Sequence, residues 1–159
     1  MDKDSLLEFI AKAHQNTYAA PKEIKLKYRM DVPFLPGHKC YYFRDGDWEY
    51  FDGYSGIERA PGSEVVLYKE QSVWRMSYQG CTVNGLSPDF VEEMFGFLKE
   101  ALRNFDKHAP FRGPSLFLKE DFRYTFSVDG DYTYFTGKES ITYKGIELFF
   151  QDVIGSIVK

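Results

Sequence analysis

Apolar residues recur at helical spacing in two stretches of the chain, which predicts two amphipathic helices. The first covers residues 5–18, where Ser5 and Glu8 match the capping box of a helix start. The second starts at Ser87 and carries a wider apolar stripe, so we expect it to be buried more deeply. Gly96 stands inside this second stripe. Because glycine lowers helix stability by about 1 kcal/mol relative to alanine, it predicts a close approach of another backbone.

Between and after these helices, apolar positions alternate with polar ones, as in half-buried strands. The alternation starts over residues 24–30, where Lys25, Lys27 and Arg29 would form a basic outer face. Further strands are expected at 40–44, 48–54, 64–69, 73–79, 117–128, 132–136, 140–143, 147–151 and 154–158. Gly, Pro or Asp-Gly turns separate many of them, so neighbouring strands are expected to pair as antiparallel hairpins.

One turn sequence occurs twice. Asp45-Gly46-Asp47 opens a segment of pattern D-G-D-x-x-Y-F-x-G, and the pattern returns at Asp129-Gly130-Asp131, 84 positions later. The same offset superimposes the two helical stripes. We therefore predict an α+β fold in a single domain, 1–159, with two helices packed on an antiparallel sheet and a tandem duplication of a helix-plus-meander unit over about 4–84 and 87–159. Convergent hairpin chemistry is the alternative explanation of the shared turns.

Composition adds one unusual feature, a high aromatic content. The 159 residues include 15 Phe, 12 Tyr and 2 Trp, with 43% hydrophobic and 28% charged residues, and this favours a sheet-rich globular protein. The net charge of −4 gives no electrostatic reason to bind nucleic acid. The sequence starts without the pattern of a signal peptide, and no apolar stretch is long enough to cross a membrane. We expect a cytoplasmic protein without direct nucleic-acid or membrane partners.

Residue types suited to metal binding or catalysis are present, but their spacing favours neither. Among His38, Cys40, Cys81 and His108 only the first two are close in sequence, so no metal and no other cofactor is expected. Cys81 with a histidine, or the carboxylates of the Asp-Gly-Asp turns, are the alternative reactive groups. The sequence contains no phosphate-binding glycine loop, nucleophile elbow or metalloprotease motif. We therefore assign no catalytic residue and favour a non-enzymatic role.

The leading candidate site is an aromatic-lined pocket, expected as a hollow between the two copies of the repeated unit. An aromatic wall beside an acid suits a small apolar or cationic ligand. Arg112 stands in a rigid Pro-Phe-Arg-Gly-Pro loop, where it would bind a ligand carboxylate or cap Asp106 or a helix carbonyl. The alternative is that these aromatic residues fill an ordinary core. The predicted ligand-binding residues are Trp48, Tyr50, Glu64, Trp74, Tyr78, Phe111 and Arg112.

Three segments carry a resemblance to a known family: VWRMSYQG at 73–80, FLKEAL at 97–102 and PFRGP at 110–114. They resemble an uncharacterised bacterial family, a domain of unknown function that occurs alone or fused behind a Cro/C1-type helix-turn-helix in transcription regulators. The similarity covers most of the chain and implies ligand sensing or partner binding, without catalytic residues to carry over. The predicted outline is also similar to effector-binding domains related to gyrase inhibitor-like proteins, whose aromatic cleft and buried acid hold drug-like cations. That likeness concerns architecture alone.

Three hypotheses follow for the function. The first is a non-enzymatic small-molecule-binding or sensor domain that uses the aromatic pocket. The alternative is a protein-interaction domain that presents the basic strand face 25–29 to an acidic partner. The third is an enzyme whose motif is not recognised.

Overall fold

In the computed structural model, which describes residues 2–159, the chain forms three helices and nine strands. The helices are α1 (Lys3–Asn16), α2 (Lys22–Lys25) and α3 (Pro88–Leu102). The strands are β1 (Arg29–Met30), β2 (His38–Asp45), β3 (Trp48–Ser55), β4 (Gly62–Tyr68), β5 (Gln71–Thr82), β6 (Leu116–Lys119), β7 (Phe122–Asp131), β8 (Tyr134–Tyr143) and β9 (Ile146–Ile157). They form one antiparallel sheet in the order β1-β2-β3-β4-β5-β9-β8-β7-β6. The predicted α+β class is confirmed, and the sheet dominates the fold.

The two long helices begin at polar caps. The cap of α1 is Asp2, whose carboxylate accepts a hydrogen bond from the backbone N–H of Ser5 at 3.0 Å. Ser5, the predicted cap, therefore lies inside the first turn. For α3 the prediction is correct, because the hydroxyl of Ser87 accepts a hydrogen bond from the N–H of Phe90 at 3.3 Å. The expectation for Gly96 is wrong, since a Cβ atom added there would meet nothing within 4 Å.

The predicted strand over residues 24–30 is wrong. Residues Lys22–Lys25 form the short helix α2, and only Arg29 and Met30 pair with β2. Pro21 has φ −50° and accepts hydrogen bonds at its carbonyl from the first helical turn, which suits a helix start. The alternating apolar residues of this segment do not form a buried face, since Leu26 remains 51% exposed. The basic residues of this segment consequently lie on a helix, a turn and a two-residue strand instead of one strand face.

The alternation located strands correctly but misplaced several of their ends. Residues 132–136 and 140–143, predicted as two strands, lie mostly within the single strand β8. Strand β9 likewise covers most of both 147–151 and 154–158. Conversely, 117–128 is divided into β6 and β7 by a turn in which Glu120 has φ 53°. Strand lengths depend on partners elsewhere in the sheet, which local patterning does not contain.

Each long helix is followed by four of the longer strands, and the two sets meet where β5 pairs with β9. The two Asp-Gly-Asp segments nevertheless occupy different places. Gly46, with φ 59°, forms the turn between β2 and β3, the first hairpin of its set. Gly130 lies within β7, and Tyr132 and Thr133 make the turn to β8, in the second hairpin of its set. The repeated turn therefore does not mark equivalent positions, and the tandem duplication is not confirmed.

The core lies between α1, α3 and one face of the sheet. Phe9 of α1 stacks on Trp48 with ring centroids 5.2 Å apart, and Phe97 of α3 stacks on Phe122 at 5.0 Å. At the junction of β5 and β9 the backbones approach closely at Gly80, where a Cβ atom would lie 2.0 Å from the carbonyl oxygen of Phe150. No helix in the described residues is both long and apolar enough to cross a membrane. Over the central strands, between the two helices, lies a hollow.

Candidate functional site

The hollow is bounded by the last turns of α1, the middle and end of α3, and the inner face of the central strands. The space that the centre of a water molecule can occupy measures about 50 Å³, and the whole hollow with its open mouth about 620 Å³. A water molecule takes up roughly 30 Å³ in the liquid, so this space has room for at least one water or a polar group of that size. The remainder of any larger ligand would lie in the mouth.

Five of the seven predicted site residues line this hollow, and they come from β3, β4, β5 and the loop after α3. The five residues are Tyr50, Glu64, Tyr78, Phe111 and Arg112. The fold thus brings together positions separated by up to 62 residues in the chain, from 50 to 112. Their ligand-binding role stays a prediction, because geometry alone does not identify an occupant.

The two predicted tryptophans do not line the hollow. Trp74 is completely buried and stacks near Phe111 and Phe135, with centroid distances of 6.0 and 6.2 Å. Trp48, the first residue of β3, packs against Phe9 and is not among the residues that line the hollow. These two residues have the surroundings expected from the alternative prediction, in which the aromatic residues fill an ordinary core. Large apolar rings bury more area in a continuous core than in a small cavity.

Two carboxylates face the hollow from neighbouring strands. Asp52 on β3 and Glu64 on β4 are directly opposite each other in the antiparallel register. They are only 2% and 3% exposed, and both line the hollow. Directly opposed side chains have Cβ atoms about 5 Å apart, a separation at which like charges repel. Two buried ionised carboxylates at that distance are costly, so the pair favours either a shared proton or a cation between them.

The carboxylates have different partners. The hydroxyl of Tyr78 donates a hydrogen bond to Asp52 at 2.7 Å, and His14 Nε2 lies 2.7 Å from the carboxylate of Glu64. Burial raises the pKa of Asp52 to about 7, and the negative charge of Glu64 acts in the same direction. The Tyr78 hydrogen bond and the charges of His14 and Arg112 oppose this increase. Asp52 therefore keeps its proton to a higher pH than an exposed aspartate does.

The phenols around the pair act as neutral groups. Burial raises the pKa of Tyr50 well above its ordinary value, and the charge of Glu64 adds to the increase. The pKa of Tyr78 is raised for the same reason, burial first and then the charge of Asp52. Neither phenol ionises at physiological pH, and the hydroxyl hydrogen of Tyr78 is already donated to Asp52.

Arg112 is not a free guanidinium, because it is already paired with Glu139. Its Nε donates to Glu139 at 3.1 Å and its Nη2 at 2.8 Å, a two-point pairing with a carboxylate that is 1% exposed. Tyr124 and Gln151 donate to the same carboxylate at 2.7 and 3.0 Å. The predicted contact with Asp106 is not made. Arg112 and Glu139 neutralise each other, and together they fix one wall of the hollow.

Several residues of the site were not predicted, most clearly Asp52, His14 and Gln151. The sequence does contain a signal for these three residues, because each occupies a position at which the local periodicity predicts an apolar residue. Asp52 follows Tyr50 by two residues on a strand, Gln151 has the same relation to Phe149, and His14 continues the apolar stripe of α1. A polar side chain on a core face requires a partner, which makes such positions candidates for a site.

The histidines and cysteines considered for metal binding are not brought together. Within the part of the chain that the structure describes, no group of three or more His, Cys, Asp or Glu residues could hold a metal ion. Cys40 is buried and Cys81 half-buried, and both are free thiols. The arrangement that remains is an aromatic hollow with one opposed pair of carboxylates.

Comparison with known proteins gives one result. The family model described as Domain of unknown function (DUF5680) matches residues 52–158, about two thirds of the chain. No curated protein and no solved structure matches the chain. The matched range contains Asp52, Glu64, Tyr78 and Arg112, whereas α1 with His14 lies outside it. The chain belongs to the family described as Domain of unknown function (DUF5680).

Proposed function

We propose that this protein is a non-enzymatic small-molecule-binding domain whose hollow receives a cationic head group, such as a protonated amine. The observation that carries the proposal is the opposed, buried pair of Asp52 and Glu64. A cation between the two carboxylates offsets their repulsion and replaces the proton that Asp52 otherwise holds. Of the basic side chains beside the pair, Arg112 is already paired with Glu139, and His14 contacts Glu64 through Nε2 at 2.7 Å.

The dimensions of the hollow suit this ligand. The space that a water-sized group can occupy, about 50 Å³, is sufficient for an ammonium group, which is close to a water molecule in size. The body of the ligand would then lie in the mouth, where two pairs of rings meet nearly at right angles. These pairs are Tyr18 with Tyr54 at 5.5 Å and Phe95 with Phe149 at 5.8 Å. Aromatic faces cover apolar groups and attract cations, so the same walls serve both parts of the ligand.

Binding of this kind gives a route to sensing. The hollow is lined by His14 from α1, by Leu98 from α3 and by the central strands, so an occupant would contact both helices at once. A ligand stabilises the arrangement that it binds, and helix packing would therefore depend on occupancy. This extends the proposal to a cytoplasmic sensor, in which the helices report the ligand to a regulatory partner.

General acid–base catalysis is the second candidate, and one observation favours it. A carboxyl group with a pKa of about 7, as for Asp52, is matched to proton transfer at neutral pH. However, Asp52 already accepts a hydrogen bond from Tyr78, and Glu64 is engaged with His14, so no nucleophile is left next to a free base. Binding without chemistry requires fewer assumptions about these groups.

A matched pair of small probes tests the proposal. Benzylamine and benzyl alcohol have the same ring, but only the amine carries a charge. We expect benzylamine at ten times its Kd to stabilise the fold by about 1.4 kcal/mol, a Tm increase of roughly 2–5 °C, and benzyl alcohol to have little effect. The double variant Asp52→Asn/Glu64→Gln should lose the response to the amine. Asp129→Asn, an exposed carboxylate on the sheet, serves as the control.

Two results would contradict the proposal. One is equal stabilisation by the alcohol and the amine, which would make the ring the only determinant. The other is unchanged benzylamine affinity in a folded Asp52→Asn/Glu64→Gln variant, with folding checked by near-ultraviolet circular dichroism. Conversion of a probe into product would instead support the acid–base alternative.

A further inference from the structure

Three lysines from three different elements gather beside the mouth of the hollow. The ammonium groups of Lys25 (α2) and Lys99 (α3) lie over the ring of Tyr18, at 5.9 and 5.6 Å from its centroid. The ammonium group of Lys39 (β2) lies over the ring of Tyr54 at 5.7 Å. Tyr18 and Tyr54 both line the hollow and pack edge to face. The three lysines therefore lie over the two tyrosines, Tyr18 and Tyr54, that form one wall of the hollow.

A fourth cation belongs to the same place. Arg103, directly after α3, donates a hydrogen bond from Nη1 to the carbonyl oxygen of Ala19 at 2.8 Å. Ala19 also lines the hollow, next to Tyr18 in the chain. We call this set the basic collar, defined as Lys25, Lys39, Lys99 and Arg103. It draws on helix, strand and loop residues that only the tertiary fold places together.

The basic collar makes no salt bridge within the described residues, and the negative charge of Glu92 only opposes the decrease that burial causes in the pKa of Lys99. Among the ion pairs of residues 2–159, none involves a collar residue, although other lysines such as Lys12, Lys119 and Lys144 are paired with acids. Burial lowers the pKa of Lys25, and the positive charges of Lys99, Lys39 and Arg103 lower it further. The fold thus places four cations without salt bridges in one cluster, where they repel each other. An anion bound there would relieve that repulsion.

We propose that the basic collar binds an anionic group of the ligand, a carboxylate or a phosphate, so that the ligand carries charges of both signs. This inference rests on the proposed function, since it places the anion on the molecule whose cationic head lies between Asp52 and Glu64. The apolar body of the ligand then lies along Tyr18 and Tyr54, between the two charged ends. Opposite charges at the two ends of the site fix the orientation of the ligand and exclude compounds that carry one charge alone.

The surroundings of the collar favour a small ligand over an acidic protein. Lys25, Lys39 and Lys99 are half-buried, with their ammonium groups over the rings of Tyr18 and Tyr54. They do not line the hollow themselves, but the two tyrosines beneath them do, and concave sites with a few fixed polar groups are typical of small-molecule recognition. An acidic protein surface would need exposed cations on a flatter face. Binding of an acidic peptide is accordingly the competing outcome in the test below.

Inorganic phosphate tests the collar by itself. Amide and side-chain NMR shifts are followed during titration of the full chain with phosphate, with ionic strength held constant by chloride. We expect saturable shifts at Lys25, Lys39 and Lys99, and an affinity about tenfold lower in Lys25→Gln/Lys99→Gln. The control is Lys119→Gln/Lys144→Gln, which removes two acid-paired lysines, one of which also lies over a tyrosine ring, and should leave the affinity unchanged. Shifts that do not saturate, or equal affinities in parent and Lys25→Gln/Lys99→Gln, would overturn the collar.

Three related probes separate this inference from the proposed function. They are benzylamine, benzoate and para-aminomethylbenzoate, compared by calorimetry on the parent, Lys25→Gln/Lys99→Gln and Asp52→Asn/Glu64→Gln. We expect the compound with both charges to bind about tenfold more tightly than either singly charged probe. The lysine variant should lose that gain and keep benzylamine binding, whereas the carboxylate variant should lose benzylamine binding and keep benzoate binding.

Each remaining outcome decides between the two ideas. If phosphate binds at the collar and benzylamine does not bind at all, the proposed function fails while the anion site stands. If benzylamine binds and the added carboxylate changes nothing, the collar proposal fails while the proposed function stands. If phosphate produces no shifts at the collar and a polyglutamate peptide does, the collar serves an acidic protein partner and the small-ligand inference is wrong.

Discussion

Asp52→Asn is the most informative single substitution, because it removes one charge and leaves the shape of the side chain. The amide oxygen of asparagine can still accept the hydrogen bond that Tyr78 donates to Asp52 at 2.7 Å. The variant therefore imitates the protonated form of Asp52 at every pH. Comparing it with the parent isolates the effect of ionising this carboxyl group opposite Glu64.

The sign of the effect follows from the pKa of Asp52 in the two states. Burial raises it from 3.8 to about 7 in the folded protein. Between these values the folded state keeps its proton and the unfolded state has lost it. The stability that this proton contributes is fully present below pH 4 and decreases as the pH rises toward about 7. Near pH 7 and above, both states are ionised and the loss levels off.

The magnitude follows from the same linkage. One bound proton of difference changes the free energy of unfolding by about 1.4 kcal/mol per pH unit. From pH 5 to pH 7 the parent should therefore lose about 2–3 kcal/mol through Asp52, whereas Asp52→Asn should lose none of this. The free energy of unfolding of the variant relative to the parent should rise by that amount across the interval.

Urea unfolding at several pH values between about 5 and 8, followed by tryptophan fluorescence, measures this difference directly. Other titrating groups affect parent and variant alike and largely cancel in the comparison. Asp129→Asn, an exposed carboxylate, is the matched control and should show a difference that varies little with pH. A parent-to-variant difference for Asp52→Asn that stays constant over the whole interval, or that changes in the opposite direction, would refute the assigned role of burial and of Glu64.

Three further predictions concern the framework of the site. Arg112→Met should lower the free energy of unfolding by about 3–5 kcal/mol, because it leaves the buried carboxylate of Glu139 without its cation. In the same urea assay, the double variant Arg112→Met/Glu139→Leu should lose less stability than the single variant. Gly96→Ala should raise the free energy of unfolding by about 1 kcal/mol, since the added Cβ meets no atom; a lower Tm would show a contact there after all. Asp2→Ala should lower the free energy of unfolding by about 1 kcal/mol, and Ser5→Ala should lower it less, because Asp2 supplies the cap. Calorimetric Tm values that rank the two variants in the opposite order would show that the cap is assigned to the wrong residue.

Local pattern was sufficient where an element depends on its own side chains. The stripe after Ser87 fixed the start of α3, and the alternation along 48–54 placed β3 in nearly its observed position. The same reasoning failed for 24–30, where alternation suggested a strand but Pro21 and the absence of a buried face allowed a helix. It also failed at Gly46 and Gly130, because an identical turn sequence occupies different hairpins.

The candidate site was predictable only in part, and the reason is again physical. Tyr50, Glu64 and Tyr78 were identified as aromatic or acidic residues on predicted strands, and the fold does bring them to one hollow. Asp52 was passed over because its role depends on Glu64, its partner on the next strand. Arg112 was given the wrong partner because Glu139 lies 27 residues away, on a strand whose register is not encoded nearby.

The sequence by itself determined the class of the fold, the two capped helices and the amphipathic strands, because helical and strand periods arise from side chains a few residues apart. It also contained two polar residues, Asp52 and His14, at positions where the periodicity predicts an apolar core residue. Only the tertiary structure decided that β5 pairs with β9, that two carboxylates face each other, and that the basic collar assembles beside the mouth. Those features depend on strand register and helix docking, which are settled by packing between distant segments and leave little trace in any local stretch of the chain.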